Sequence, residues 1–394
     1  MPACGAAPGN EGRKPMKTKT IKAVCLLLAL CLLAGAIAGC GAEEEKDLSV
    51  TGRAITHELE FGGVYIDLSI DDFNALGFSY GDGVTVTFSN GYKLENVPYY
   101  NGYYTQTGEP LLVAYPGYPY IKACINNGDD LWTVAGLGEG DTADISLAEA
   151  GAFAAIQNAR DIHYKDDREL FASDEVFANF RSVKATGIGE NKLFRSASPC
   201  DNQHSRAPYV DALIKAAGVG CVLNLSDNDE KIAGYLAKED YNSPYFRSLY
   251  ENGGVIPLAL NMNFGSADFR KKVADGLIEM IGHEGPYLVH CTEGKDRTGF
   301  VCMLLEALCG AGYDEIAEDY MITYDNYYGI TKDRDEARYT VILENVLDPM
   351  IRSVLGDEKA DLRTADLAGA AETLLKNAGM TDAQIATLRE KLGA

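Results

Sequence analysis

The stretch from Pro286 to Phe300, P-Y-L-V-H-C-T-E-G-K-D-R-T-G-F, constrains the fold more than any other part of this 394-residue chain. Tyr287, Leu288 and Val289 form an apolar run suited to a buried strand. Cys291 to Arg297 makes a tight loop around Gly294. From Thr298, the run T-G-F-V-C-M-L-L-E-A-L-C reads as a buried helix. A strand, a tight loop and a helix N-terminus turn their free N–H groups toward one point, which makes an anion site. A thiol enters that loop at Cys291 and a guanidinium leaves it at Arg297. Those two residue types suit attack on a phosphate ester.

Such chemistry needs a nucleophile, charge stabilisation, a proton for the leaving group and later a water. Cys291 can be the nucleophile, because loop amides, the helix N-terminus and Arg297 all favour a thiolate. The planar fork of Arg297 matches two phosphate oxygens. Thr298 can hydrogen-bond the sulfur and ease its departure. His290 can hold the loop through backbone hydrogen bonds, a supporting role. Thr292, Glu293, Gly294, Lys295 and Asp296 complete the substrate cradle, with Gly294 and Gly299 permitting close turns.

The rest of the chain supplies a frame. Strands at Val219–Leu225 and Val255–Leu260 alternate with helices at 209–217, 229–238 and 268–281, which predicts a mostly parallel α/β sheet flanked by helices. Sheets of this kind put their chemistry outside the strand C-termini. Asp227 and Cys291 both fall there. From 314 onward the chain reads as helical.

Residues 47–147 have a β texture. Asn90-Gly91 sits between two apolar stretches and signals a hairpin. Turn residues recur every eight to twelve positions, the spacing of a small all-β barrel or sandwich. Gly136, Gly138 and Gly140 read as a turn. Tyr99, Tyr100, Tyr103 and Tyr104 suit either a ligand face or a solvated hairpin tip. Residues 148–174 read as a helical connector and 175–394 as the catalytic domain.

Residues 1–40 form a signal region in which Met16 is the expected start. Lys17, Lys19 and Lys22 precede an apolar run ending in Ile37-Ala38-Gly39-Cys40. This resembles a bacterial lipoprotein signal, which implies acylation of Cys40 and an outward-facing, membrane-tethered protein. Residues 41–46 would be a solvated linker. The net charge of −23 excludes nucleic acid as a natural partner. None of the ten cysteines forms a C-x-x-C pair and H-E-x-x-H is absent, so no metal or other cofactor is expected.

H-C-T-E-G-K-D-R-T-G resembles the signature of the protein tyrosine phosphatase superfamily, in particular bacterial tyrosine and dual-specificity phosphatases with a G-K-D-R-T-G loop. Asn179-Phe180-Arg181, Phe194-Arg195-Ser196-Ala197 and Asp319-Tyr320-Met321 are similar to further landmarks of that family. The likeness implies the Cys-dependent phosphatase fold and a phosphocysteine intermediate on Cys291. It also implies phosphate binding by Arg297 and a phosphorylated protein or inositol phosphate as substrate. Better-known members carry their acid on a Trp-Pro-Asp loop. The single Trp here is Trp132, in the β segment, so the acid is Asp296, Asp227 or Asp268. Bacterial relatives point to Asp296. The β segment faintly resembles the C-terminal barrel of the S-adenosylmethionine hydroxide adenosyltransferases, which bears on fold alone. A reading of another class is a binding lipoprotein with an inert phosphatase fold.

Overall fold

The computed structural model describes residues 48–393. The signal region, Cys40 and the linker lie outside the described residues. Among the described residues no helix is long and apolar enough to cross a membrane.

Seven strands close a barrel in the order β1-β2-β6-β5-β4-β3-β7. They are β1 (Ser49–His57), β2 (Val64–Ile66), β3 (Gly83–Phe88), β4 (Lys93–Tyr100), β5 (Pro110–Val113), β6 (Ile121–Ile125) and β7 (Thr142–Glu149). Of the two expected architectures, the barrel is the one formed. Closure pairs β1 with β7 and leaves no open edge. In β3, Val84, Val86 and Phe88 point inward at period two and join the barrel core. Asn90-Gly91 turns β3 into β4, and the Gly91 N–H donates to Phe88 O.

Between β1 and β2, Gly62 and Gly63 take positive φ and the chain reverses into an antiparallel hairpin. One reading of this half needs correction. Tyr99 and Tyr100 are neither a ligand face nor a solvated tip. They are buried on β4.

The second half holds a five-stranded sheet, β11-β10-β12-β9-β8. Its strands are β8 (Arg181–Ser182), β9 (Leu193–Ser196), β10 (Cys221–Asn224), β11 (Val255–Pro257) and β12 (Tyr287–His290). The strands β9 to β12 run parallel and β8 pairs antiparallel at the edge. The Ala267–Met280 helix packs Phe269, Val273 and Leu277 into the core on one face of the sheet. The Asp296–Cys309 helix is apolar nearly all round and lies inside that core. At Gly299 an added Cβ would stand 2.5 Å from the Tyr320 ring, so glycine allows the Asp296–Cys309 and Tyr313–Tyr328 helices to touch.

The segment between the two halves departs from its expected helical form. β7 runs on to Glu149 and a helix covers only Ala154–Arg160. Residues 161–167 form an irregular strap.

Candidate active site

β12 ends at His290 and delivers Cys291 to the C-terminal edge of the sheet, 3% exposed. The Asp296–Cys309 helix starts five residues later, so its N-terminus faces the same loop. Gly294 takes φ +69°, and a Cβ there would stand 2.2 Å from Ser196 O. Only glycine lets the loop press against the end of β9. The backbone N–H groups of Glu293, Gly294 and Lys295 have no protein acceptor among the described residues. They form the free donor set that an anion needs.

Arg297 closes the loop. Its Nη1 donates to Leu260 O at 3.0 Å and its Nη2 to Thr292 Oγ1 at 3.4 Å. Its Nε is buried without a partner. His290 is fully buried, and burial pushes its pKa down from 6.5 to about 4. The neutral ring donates from Nδ1 to Cys291 O at 3.1 Å. Thr298 is buried at the third position of the helix. Its hydroxyl makes no hydrogen bond. The expected bond to the Cys291 sulfur is therefore not formed.

A buried ionic brace, which the sequence shows only as family landmarks, holds the loop from behind. Gly294 O accepts from Asn179 Nδ2 at 3.2 Å and from Arg195 Nη2 at 3.0 Å. Asp319 accepts from Arg195 Nη1 at 2.6 Å and from Arg181 Nε at 2.9 Å. Arg195 is 1% exposed. Burial alone would raise the Asp319 pKa, but the two guanidinium charges hold it far below the usual carboxylate range. Glu306 lies beside them, fully buried. Burial and the Asp319 charge push its pKa well up, which keeps it protonated.

The three acid candidates occupy different settings. Asp296 is half-buried at the first helical position, with its carboxylate 3.7 Å from Lys295 Nζ. It also lines a cleft. Asp227 is buried beneath the sheet edge, where it accepts from Asn224 Nδ2 at 3.1 Å and Tyr235 Oη at 3.4 Å. Cys200 Sγ lies 4.0 Å from it. Those contacts engage the Asp227 carboxylate with residues outside the catalytic loop. Asp268 is solvated on the first turn of the Ala267–Met280 helix and pairs with Lys272 at 2.9 Å. Among the described residues it makes no hydrogen bond or ion pair to the catalytic loop.

Lys295, which the sequence places in the substrate cradle, is held by its neighbours. Its ammonium sits 3.2 Å from Glu293 and donates to Tyr164 Oη at 2.8 Å. Burial works against its charge, but Asp296 and Glu293 hold the pKa well above the usual value. The Tyr164 hydroxyl donates to Glu293, and its ring packs on His204, Tyr327 and Tyr328. Asp166, on the same strap, takes Arg206 Nη1 and His204 Nδ1, each at 3.0 Å. Sequence reading missed Tyr164. Its one hint is an aromatic residue among the charges of H-Y-K-D-D-R.

A family model described as "Tyrosine phosphatase family" matches residues 152–394. The chain belongs to the tyrosine phosphatase family. A tyrosine-protein phosphatase of Nostoc commune is 35% identical over 117 residues, covering 28% of this chain and 40% of that protein. The match thus spans less than half the length of this family relative. Among solved structures, an uncharacterized conserved protein from Thermotoga maritima aligns at 22% identity, over 25% of this chain and 35% of its own, with a TM-score of 0.21. The core catalytic domain of the PP-IP phosphatase SIW14 from S. cerevisiae, in complex with citrate, aligns at 16% identity. That match covers 45% of this phosphatase-family chain and 91% of the other, with a TM-score of 0.26. At such scores neither structure carries an argument about fold or ligand.

Proposed function

We propose that this chain hydrolyses phosphomonoesters by way of a phosphocysteine on Cys291, with phosphotyrosine or other phosphoproteins as substrates. The observation that carries this reading is the loop itself. A buried thiol, free backbone N–H donors and a guanidinium with an unpartnered Nε surround the N-terminus of one helix.

In the first step the Cys291 sulfur attacks phosphorus and the bond to the leaving oxygen breaks. Asp296 gives that oxygen a proton. Arg297 and the loop amides hold the equatorial oxygens as charge spreads over them. In the second step water attacks phosphorus, its proton passes to the Asp296 carboxylate, and the P–S bond breaks to release phosphate and the thiolate. Thr298, with its unpartnered buried hydroxyl, can turn to the departing sulfur. Asp296 is preferred as the acid because Asp227 is engaged below the sheet edge and Asp268 is in solvent. The engagement of Lys295 by Glu293 and Asp296 weakens the case for highly phosphorylated inositols.

The catalytic unit is proposed to start near the helix at 154, and Cys40 to be a lipid anchor on the outer face of a bacterial membrane. The test is phosphate release by the full chain in the presence of EDTA, with phosphotyrosine and phosphoserine peptides, phosphoinositides and inositol hexakisphosphate. Cys291→Ser should abolish it. Asp296→Asn should slow esters with poor leaving groups at least tenfold more than p-nitrophenyl phosphate. Equal losses on both would remove Asp296 from its role. A folded, reduced chain that releases phosphate from none of these substrates would leave the inert binding protein as the reading.

A further inference from the structure

A cleft of about 510 Å³ opens beside the catalytic loop, with Asp296 in its lining. That volume lies within the range of ligand-binding cavities. One wall belongs to the barrel, through Tyr103, Gln106, Asn126 and Asn127. The opposite wall belongs to the catalytic half. There Phe264 stacks on Phe300 of the loop's own helix, with ring centroids 5.1 Å apart. Met262, beside it, is exposed. Gln106 Nε2 spans the gap and donates to Asn345 O at 2.9 Å. That carbonyl lies in a π turn, Leu343–Leu347.

The charges in the cleft are unevenly answered. Asp296 faces Lys295. Arg352 stands 3.8 Å from Asp348, though its Nε is buried without a partner. Glu358 is exposed at the rim. Arg160, at the end of the connector helix, is half-buried and has no carboxylate within ion-pair distance among the described residues. Its guanidinium lies 5.3 Å from the Tyr104 ring centroid. It lines the same cleft as Asp296. A cation without an ion-pair partner among the described residues therefore shares the cleft with the proposed acid.

We propose that this cleft, with the barrel as one wall, seats the peptide carrying the phosphoryl group, and that Arg160 takes an acidic side chain next to the phosphorylated residue. The proposal rests on the phosphatase reading and adds a role for the barrel. The side-chain carbonyl oxygens of Gln106 and Asn127 accept no hydrogen bond among the described residues and suit the N–H groups of a peptide backbone. Met262 and Phe264 suit its apolar side chains. A polyphosphorylated small molecule would call for a cluster of unpaired cations, and the cleft has one.

The test compares kcat/KM of the full chain on two phosphotyrosine peptides, one with Glu and one with Gln on either side of the phosphotyrosine. p-Nitrophenyl phosphate and inositol hexakisphosphate serve as references. The Glu peptide should be favoured about two- to fivefold at low salt, and the preference should shrink as salt is added. Arg160→Ala should bring the ratio near one, chiefly through KM, and Arg160→Lys should restore most of it. A wild-type ratio near one overturns the proposal, as does a fall with Arg160→Ala that is equal on both peptides and on p-nitrophenyl phosphate. Faster turnover of inositol hexakisphosphate than of either peptide also overturns it. Wild-type protein inactive on every substrate sinks the phosphatase reading itself, whereas turnover without a peptide preference sinks only the cleft.

Discussion

Removing the Arg195 side chain tests how the phosphate loop is held. In Arg195→Met, Asp319 loses its 2.6 Å partner and Gly294 O loses its 3.0 Å donor. Breaking a buried ion pair by deleting one partner costs about 3–5 kcal/mol. Arg181 still faces Asp319 at 2.9 Å, so the lower end, about 3 kcal/mol, is expected. For a body of this size that is a fall in Tm of roughly 5 °C. The loop keeps only the Asn179 donor on Gly294 O, so kcat should fall about 10- to 100-fold even well below Tm. Arg195→Lys separates the two effects. A lysine can still face Asp319 but cannot serve both acceptors with one planar fork. It should recover most of the lost Tm and little of the kcat. Thermal melts monitored by circular dichroism, with p-nitrophenyl phosphate kinetics at 15 °C, give both numbers. A Met variant that melts within 1 °C of wild type refutes the energetic argument. A Lys variant with full kcat refutes the bracing of Gly294.

Other expectations follow from the same geometry. Gly294→Ala should destabilise the chain by about 2–4 kcal/mol and abolish turnover, because a left-handed alanine is strained and its Cβ meets the backbone of Ser196; near-normal urea midpoints would contradict this. His290 is neutral when folded, with its pKa lowered from 6.5 to about 4. Its contribution is fully present above about pH 6.5 and is lost as pH falls toward 4, by up to about 3 kcal/mol. Urea midpoints compared at pH 7.5 and 4.5 should show that loss in wild type and a smaller one in His290→Asn. Tyr164→Ala should release the strap, so that trypsin cuts after Lys165 several times faster than in wild type; an unchanged rate would mean Tyr164 is not what pins it.

Much of this arrangement is legible in the residues. The 286–300 stretch announces strand, loop and helix because each part obeys a local rule, from the apolar run to the glycine that a tight loop requires. The β3–β4 hairpin is legible for the same reason, since Asn-Gly needs no distant partner to turn. The brace is not. Arg181, Arg195 and Asp319 look like surface charges until three distant segments meet, and nothing local says that the meeting point is a buried carbonyl. The acid candidates show the same limit. Asp227 and Asp296 both border apolar runs, and only the positions of Asn224 and Tyr235 turn one of them inward. The connector reads as helix because its alanines suit one, yet Tyr164 bonds Glu293 of the loop and Asp166 bonds His204 and Arg206, partners that helical neighbours cannot offer.

The strap has a consequence for how this molecule can be taken apart. By sequence it belongs to neither half, but Tyr164 and Asp166 are fastened to Glu293, His204 and Arg206. A cut at 175 would strip the catalytic loop of those residues, whereas a cut just after β7 would spare them. The strap thus travels with the catalytic half even though it follows the barrel in the chain. A chimera that trades the barrel for another domain must carry residues 154–168 along with the sheet, or it will inherit a loop whose Lys295 and Glu293 have lost their common clasp.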